Sequence, residues 1–140
     1  MMGDRILDRD GLLAALSDTR HATRDVPVPE FGDGAVVRVR EMSGALRARL
    51  EAAIASSRAG TGDARALERV TVQILAYCVI GSDGRPMLRE EDARQLMTRS
   101  PRAAYRLRDA VFAISALDEG DMEAIAEGFS SDQSGDSTTA

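Results

Sequence analysis

The fold turns on ARALERVTVQILAYCVIGSDGRPMLREEDARQL, residues 64–96. Leu67, Val70, Ile74 and Tyr77 recur at helical spacing, and from Val72 onward Leu75, Ala76, Val79 and Ile80 fill the remaining side. A helix that starts amphipathic and becomes apolar all round is buried on every side, so residues 64–80 read as the central helix of the core. The run then breaks at GSDGRP. Asp83-Gly84 is a tight-turn pair and Pro86 stops the helix from continuing, with Met87 and Leu88 expected to fold back onto its end. Glu90, Glu91 and Asp92 stand in the first turn of a following helix, where negative charge faces the unpaired N–H groups. A calcium loop is the competing reading. It needs oxygen ligands at alternating positions, a central Gly and a distal bidentate Glu, whereas here Gly84 follows directly on Ser82 and Asp83, and Arg85 brings a cation beside them. The stretch is a structural joint.

Downstream, Ser100 stands at an N-cap and Pro101 at the first helical position, and Ala104, Leu107, Val111, Ile114 and Leu117 form a stripe beside Tyr105 and Phe112; the pattern predicts a helix over 101–117. Met122, Ile125, Ala126 and Phe129 share one face of a last predicted helix, 119–129, with acidic residues near its start. Residues 130–140, SSDQSGDSTTA, contain no large apolar side chain and are expected to form a disordered polar tail. Upstream, Ser43 precedes Leu46, Leu50, Ala53 and Ile54, an amphipathic helix. SSRAGTGD, residues 56–63, is an exposed connection ending in Asp63, a candidate cap. VPVPEFGDGAVVRVRE, residues 26–41, alternates Val with Pro, turns at Asp33-Gly34 and alternates Val with Arg, which predicts a β-hairpin. Pro27 and Pro29 share one strand parity, leaving Val26, Val28 and Glu30 to pair and making the first strand an outer edge. At the N-terminus Asp10 is placed to cap a short helix carrying Leu12, Leu13 and Leu16, a small docking helix. The expected fold is α+β, mainly α-helical: an N-terminal β-hairpin packed on a bundle of about five helices, forming one domain over residues 1–129 with 130–140 as tail.

Composition narrows the function. Aromatic residues make up only 4% of the 140 residues, so the core is aliphatic. The net charge is −5, and nucleic-acid binding, which calls for a basic face, is not expected. All 18 basic residues are Arg, which we attribute to coding bias rather than to selection for bidentate contacts. Cys78 is the one cysteine, set in an apolar run, so no disulfide framework or multi-cysteine metal site is expected. No apolar run approaches the roughly 18 residues of a membrane span. The sequence holds no GxSxG, HExxH, CxxC, Walker A or GxGxxG element. His21, in the polar stretch SDTRHATRD, has no ligand set or nucleophile near it in sequence, and the adjacent Glu90 and Glu91 point apart on a helix. No catalytic residue, metal or cofactor is assigned, and an enzyme is not expected.

In order, VPVPEFGDGAVVRVREMSGALRARLEA, LAYCVIGSDGRPML, EEDARQL, SPRAAYRLRDAVFAISAL and DEGDMEAI resemble the tail assembly chaperones of long-tailed, siphovirus-like phages and prophages, over roughly residues 5–129. The order and spacing of these segments carry the match. The resemblance implies a protein that binds the tape-measure protein, keeps that long, aggregation-prone helical chain soluble while tail-tube subunits polymerise around it, and promotes tail assembly without catalysis. It further implies action in the host cytoplasm, absence from the mature virion, the major tail tube protein as a further candidate partner, and a polar C-terminus like that of the short forms of the family. A homo-oligomer stays open. The family offers no sharp binding motif, so the candidate partner-binding residues are Met97, Phe112, Met122, Ile125 and Phe129, on or beside helices 101–117 and 119–129; the competing reading places them in the core, and for Phe112 that reading is preferred. Met87, near a turn, is a further thioether suited to an adaptable groove. Two other functions stay open: a structural virion protein such as a tail-completion or head-tail connector subunit, and a small hydrolase whose carboxylates are brought together by folding.

Overall fold

The computed structural model describes residues 3–60, 65–115 and 123. Among them lie five α-helices and a three-stranded antiparallel sheet. The α+β, mainly helical architecture is the expected one.

The first helix, α1 (Arg9–Asp18), is capped by Asp8, whose carboxylate accepts from Gly11 N at 2.7 Å. The sequence had pointed to Asp10, which instead sits in the first helical turn. Of two acidic residues two positions apart, the one in extended backbone takes the cap, because only from there does the side chain reach back to the free N–H groups. No residue of α1 is buried.

Strands β1 (Thr23–Pro27) and β2 (Val36–Arg40) pair antiparallel, from Thr23 opposite Arg40 to Pro27 opposite Val36. Val28 N donates to Ala35 O at 2.9 Å, so Val28 and Val26 lie on the paired side and Pro27 on the open side, as its missing N–H requires. The strand ends there. Pro29 opens a 3-10 turn, Pro29–Phe31, which takes Glu30 out of the strand and into a contact with a later helix. A fixed φ and no N–H suit Pro29 to the first position of a helical turn better than to an extended ladder. β1 is one edge of the sheet.

Helix α2 (Gly44–Ala59) starts as the sequence predicts, with Ser43 Oγ accepting from Leu46 N at 3.2 Å and with Leu46, Leu50, Ala53 and Ile54 buried. It ends on Gly60, whose φ of 67° favours glycine. Asp63 lies outside the described residues. Helix α3 (Ala66–Cys78) is the central element, touching α2 and burying Leu67, Val70, Val72, Ile74, Leu75 and Cys78. It stops short of the predicted end. Val79 and Ile80 form strand β3 (Val79–Ile80) on the free side of β2, with Val79 opposite Val39 and Ile80 opposite Arg38. Arg40 stands where α3 ends: its Nε donates to Tyr77 O at 3.0 Å and its guanidinium lies 3.9 Å from the Tyr77 ring centroid. A terminal helix carbonyl is thereby satisfied and the negative end of the helix dipole met by a cation. β-branched Val79 and Ile80 extend readily into the ladder.

The Asp83-Gly84 turn is present, closing a small hairpin rather than a helix–helix joint. Gly84 N donates to Gly81 O, Gly81 N to Arg85 O, and Met87 N to Val79 O, while Gly84 takes a φ of 81°. Leu88 packs against the core, but Met87 stays 52% exposed and does not fold back. Helix α4 (Glu90–Arg99) begins with Glu90, Glu91 and Asp92 in its first turn, and Asp92 accepts from Arg89 N at 2.9 Å. Helix α5 (Pro101–Ile114) follows directly, with Pro101 in its first turn, and buries Ala103, Ala104, Leu107, Val111 and Phe112 against α3 and the sheet. It closes at Ser115. Leu117, the predicted helix 119–129 apart from Glu123, and the tail 130–140 lie outside the described residues. The end of α5 is tied to the start of α2: Met42 N donates to Ser115 Oγ at 3.0 Å, and Arg47 donates to Ser115 O at 3.0 Å.

Candidate partner-binding surface

Among the described residues, Cys78, Asp83 and His21 each sit in a structural setting. Cys78 is buried, which pushes its thiol from 9.0 up to about 12 and keeps it protonated, the wrong state for a nucleophile. Asp83 Oδ1 accepts from Arg85 N at 3.0 Å, inside its own turn. His21 Nδ1 lies 3.7 Å from Glu41 Oε1, both partly exposed. Among the described residues no group of three or more His, Cys, Asp or Glu is placed to hold a metal ion.

The perturbed carboxylates are moved away from acid catalysis. Asp25 is held below its ordinary value by the hydrogen bond from Arg38, at 2.7 Å. Glu30 is held down by Arg106, which forks onto both carboxylate oxygens at 2.8 and 2.5 Å. A general acid needs a raised value, produced by burial or a neighbouring carboxylate. Here the partner is an arginine in each case. The Glu30 contact has a second consequence, because Arg106 also donates to Pro27 O on the outer side of β1. With a proline and an engaged carbonyl, that edge is blunted against strand addition.

What the described surface offers a partner is apolar side chains, in two places. Five of the eight exposed large hydrophobics lie on or just before α1: Ile6, Leu7, Leu12, Leu13 and Leu16, with Leu12, Leu13 and Leu16 at 51%, 44% and 60% exposure. The others are Phe31, Val36 and Met87. Val36 and Met87 join Val37 and Ile80 in lining a groove of about 230 Å³, with the Arg38–Asp25 pair beside them. Isolated exposed leucines are ordinary on protein surfaces, but several on one short helix with no buried residue are not.

Of the five candidate partner-binding residues singled out from sequence, the two that are described fall elsewhere. Phe112 is 1% exposed and belongs to the core, the preferred reading of that residue. Met97 is half-buried on α4 and packs against the core cluster. Met122, Ile125 and Phe129 lie outside the described residues. The sequence had marked Leu12, Leu13 and Leu16 as a docking stripe; that nothing described covers them is visible only in the structure.

No family model matches this chain, and no curated protein does. One solved structure matches over most of its length: the tail assembly chaperone of bacteriophage HK97, 17% identical, with a TM-score of 0.51, the match covering 79% of this chain and 99% of that one. The chain has the fold of a phage tail assembly chaperone. At this identity the likeness lies in the backbone path.

Proposed function

We propose that this protein is a phage tail assembly chaperone that binds a tape-measure protein, keeps it soluble while the tail tube forms around it, and does no chemistry. The observation that supports this most is a structural likeness spanning 99% of the HK97 chaperone chain, rather than one shared motif. A binding protein fits what is seen among the described residues, where the one thiol is buried and protonated and the carboxylates of Asp25 and Glu30 are held low by arginines.

The chemistry of such a function is exchange of apolar contact. An amphipathic client helix gains about 25 cal/mol for each Å² of apolar surface it moves out of water, and aliphatic side chains on a helix suit the ridges of another helix. The leucines of α1, the Met87 groove and the candidates Met97, Met122, Ile125 and Phe129 are the surfaces from which this contact is drawn; Phe112 is not one of them. The net charge of −5 keeps the loaded complex soluble. The client is met in the host cytoplasm and the chaperone leaves before the virion is complete, with the major tail tube protein as a second partner. No helix among the described residues is long and apolar enough to cross a membrane.

Mass spectrometry of purified particles, beside a pull-down from the assembling cell, tests the reading. Co-purification with tape-measure protein from the lysate and absence from the particle is the expected pair of results. Stoichiometric presence in the particle would overturn it in favour of a structural tail or connector subunit.

A further inference from the structure

The leucine face of α1 has a candidate cover within its own chain. Taken alone, α1 is too short to hold its shape in water, since helices below about 12–15 residues are marginal without packing. It is nonetheless capped by Asp8 and carries its large aliphatic residues toward solvent. Residues 119–129 pose the same problem in sequence: Met122, Ile125 and Phe129 recur at i, i+3 and i+7, a stripe that needs a partner.

The path of the chain brings these two segments within reach. Ser115, where α5 closes, accepts from Met42 N at 3.0 Å. The preceding residue, Glu41, is paired with Ala22: its N–H donates to Ala22 O at 3.0 Å, and its carboxylate accepts from Ala22 N at 3.1 Å. Ala22 is the last residue before β1 and lies just beyond α1. The chain thus leaves α5 beside the segment that connects α1 to the sheet. Extended, residues 116–121 span up to about 20 Å, enough to bring residue 122 alongside α1.

We propose that in the free protein residues 119–129 lie on α1 and cover its leucine face, each segment supplying the packing that the other lacks. The cover is intramolecular, so it forms without regard to protein concentration. This inference concerns the free chain and does not depend on the chaperone reading.

Hydrogen–deuterium exchange on the full chain tests it, read at the amides of residues 12–18. Expected are protection that does not change over about a hundredfold dilution, and a loss of about tenfold or more in Ile125→Asp. Ser130→Asp, beyond the stripe, should leave that protection in place. Unchanged exchange in α3 and α5 shows that the Ile125→Asp chain is still folded. Protection that fades on dilution would assign the face to a second copy. Protection that appears only when tape-measure protein is added would assign it to the client. Protection that survives Ile125→Asp would remove this segment as the cover. Each of these three results overturns the proposal.

Discussion

Replacing Phe112 by alanine separates the two roles that an aromatic residue on α5 can have. The ring is 1% exposed and belongs to the cluster that joins α2, α3, α5 and the sheet. Phe→Ala in such a setting costs about 3–5 kcal/mol, from lost transfer free energy and the cavity left behind. Against a total stability of about 5–15 kcal/mol, that is a large share. With a urea m-value of about 2 kcal/mol/M, the midpoint should fall by about 2 M. Urea unfolding followed by far-UV circular dichroism measures the shift, with Met87→Ala as the comparison. Met87 is 52% exposed, and its truncation should change stability by about 0.5 kcal/mol or less. A Phe112→Ala chain that keeps its midpoint within about 0.5 M would refute the packing argument and return Phe112 to the partner surface.

Three further outcomes follow from the contacts. Ser115→Ala removes the acceptor of Met42 N in a buried position and should cost about 1–3 kcal/mol by the same urea assay. Cys78 should resist a thiol reagent such as Ellman's reagent in the native protein, because burial raises its thiol to about 12, and should react once denaturant unfolds the chain. Glu30 is held below its ordinary value of 4.5 by Arg106, so it binds its proton more readily in the unfolded state. Its contribution to stability is complete above pH 4.5 and is lost as pH falls through the lower folded value. Glu30→Gln should therefore flatten the acid limb of a plot of melting temperature against pH without moving the alkaline limb.

Much of the fold is legible in sequence wherever a local signal and its structural partner lie close together. Ser43 caps α2 three residues from the N–H it accepts from, Pro101 falls in the first turn of α5, and Asp83-Gly84 fixes its turn within a few residues. Val79 and Ile80 read as helix in sequence but form a strand, because their decisive partners, Arg38 and Val39, lie far away in the chain. A short, fully buried apolar run looks the same as helix or strand until its neighbour is known. The N-cap slipped from Asp8 to Asp10 for a related reason: either residue type serves, and backbone conformation chooses.

The partner surface was less legible. Methionines and phenylalanines attract attention by residue type, but exposure depends on which face of a helix meets the core, and that placed Phe112 inside and left Met87 outside. The apolar stripe of α1 was visible in the spacing of its leucines. Its lack of a described partner was not, because periodicity reports a face and not what covers it.

The central claim is that this chain keeps a tape-measure protein in solution. The most direct test is to produce the two together in cells and measure the soluble fraction of the tape-measure protein with and without the chain. Soluble tape-measure protein that co-purifies with the chain, and insoluble protein when the chain is left out, is the predicted result. An unchanged soluble fraction with no co-purification would contradict the account.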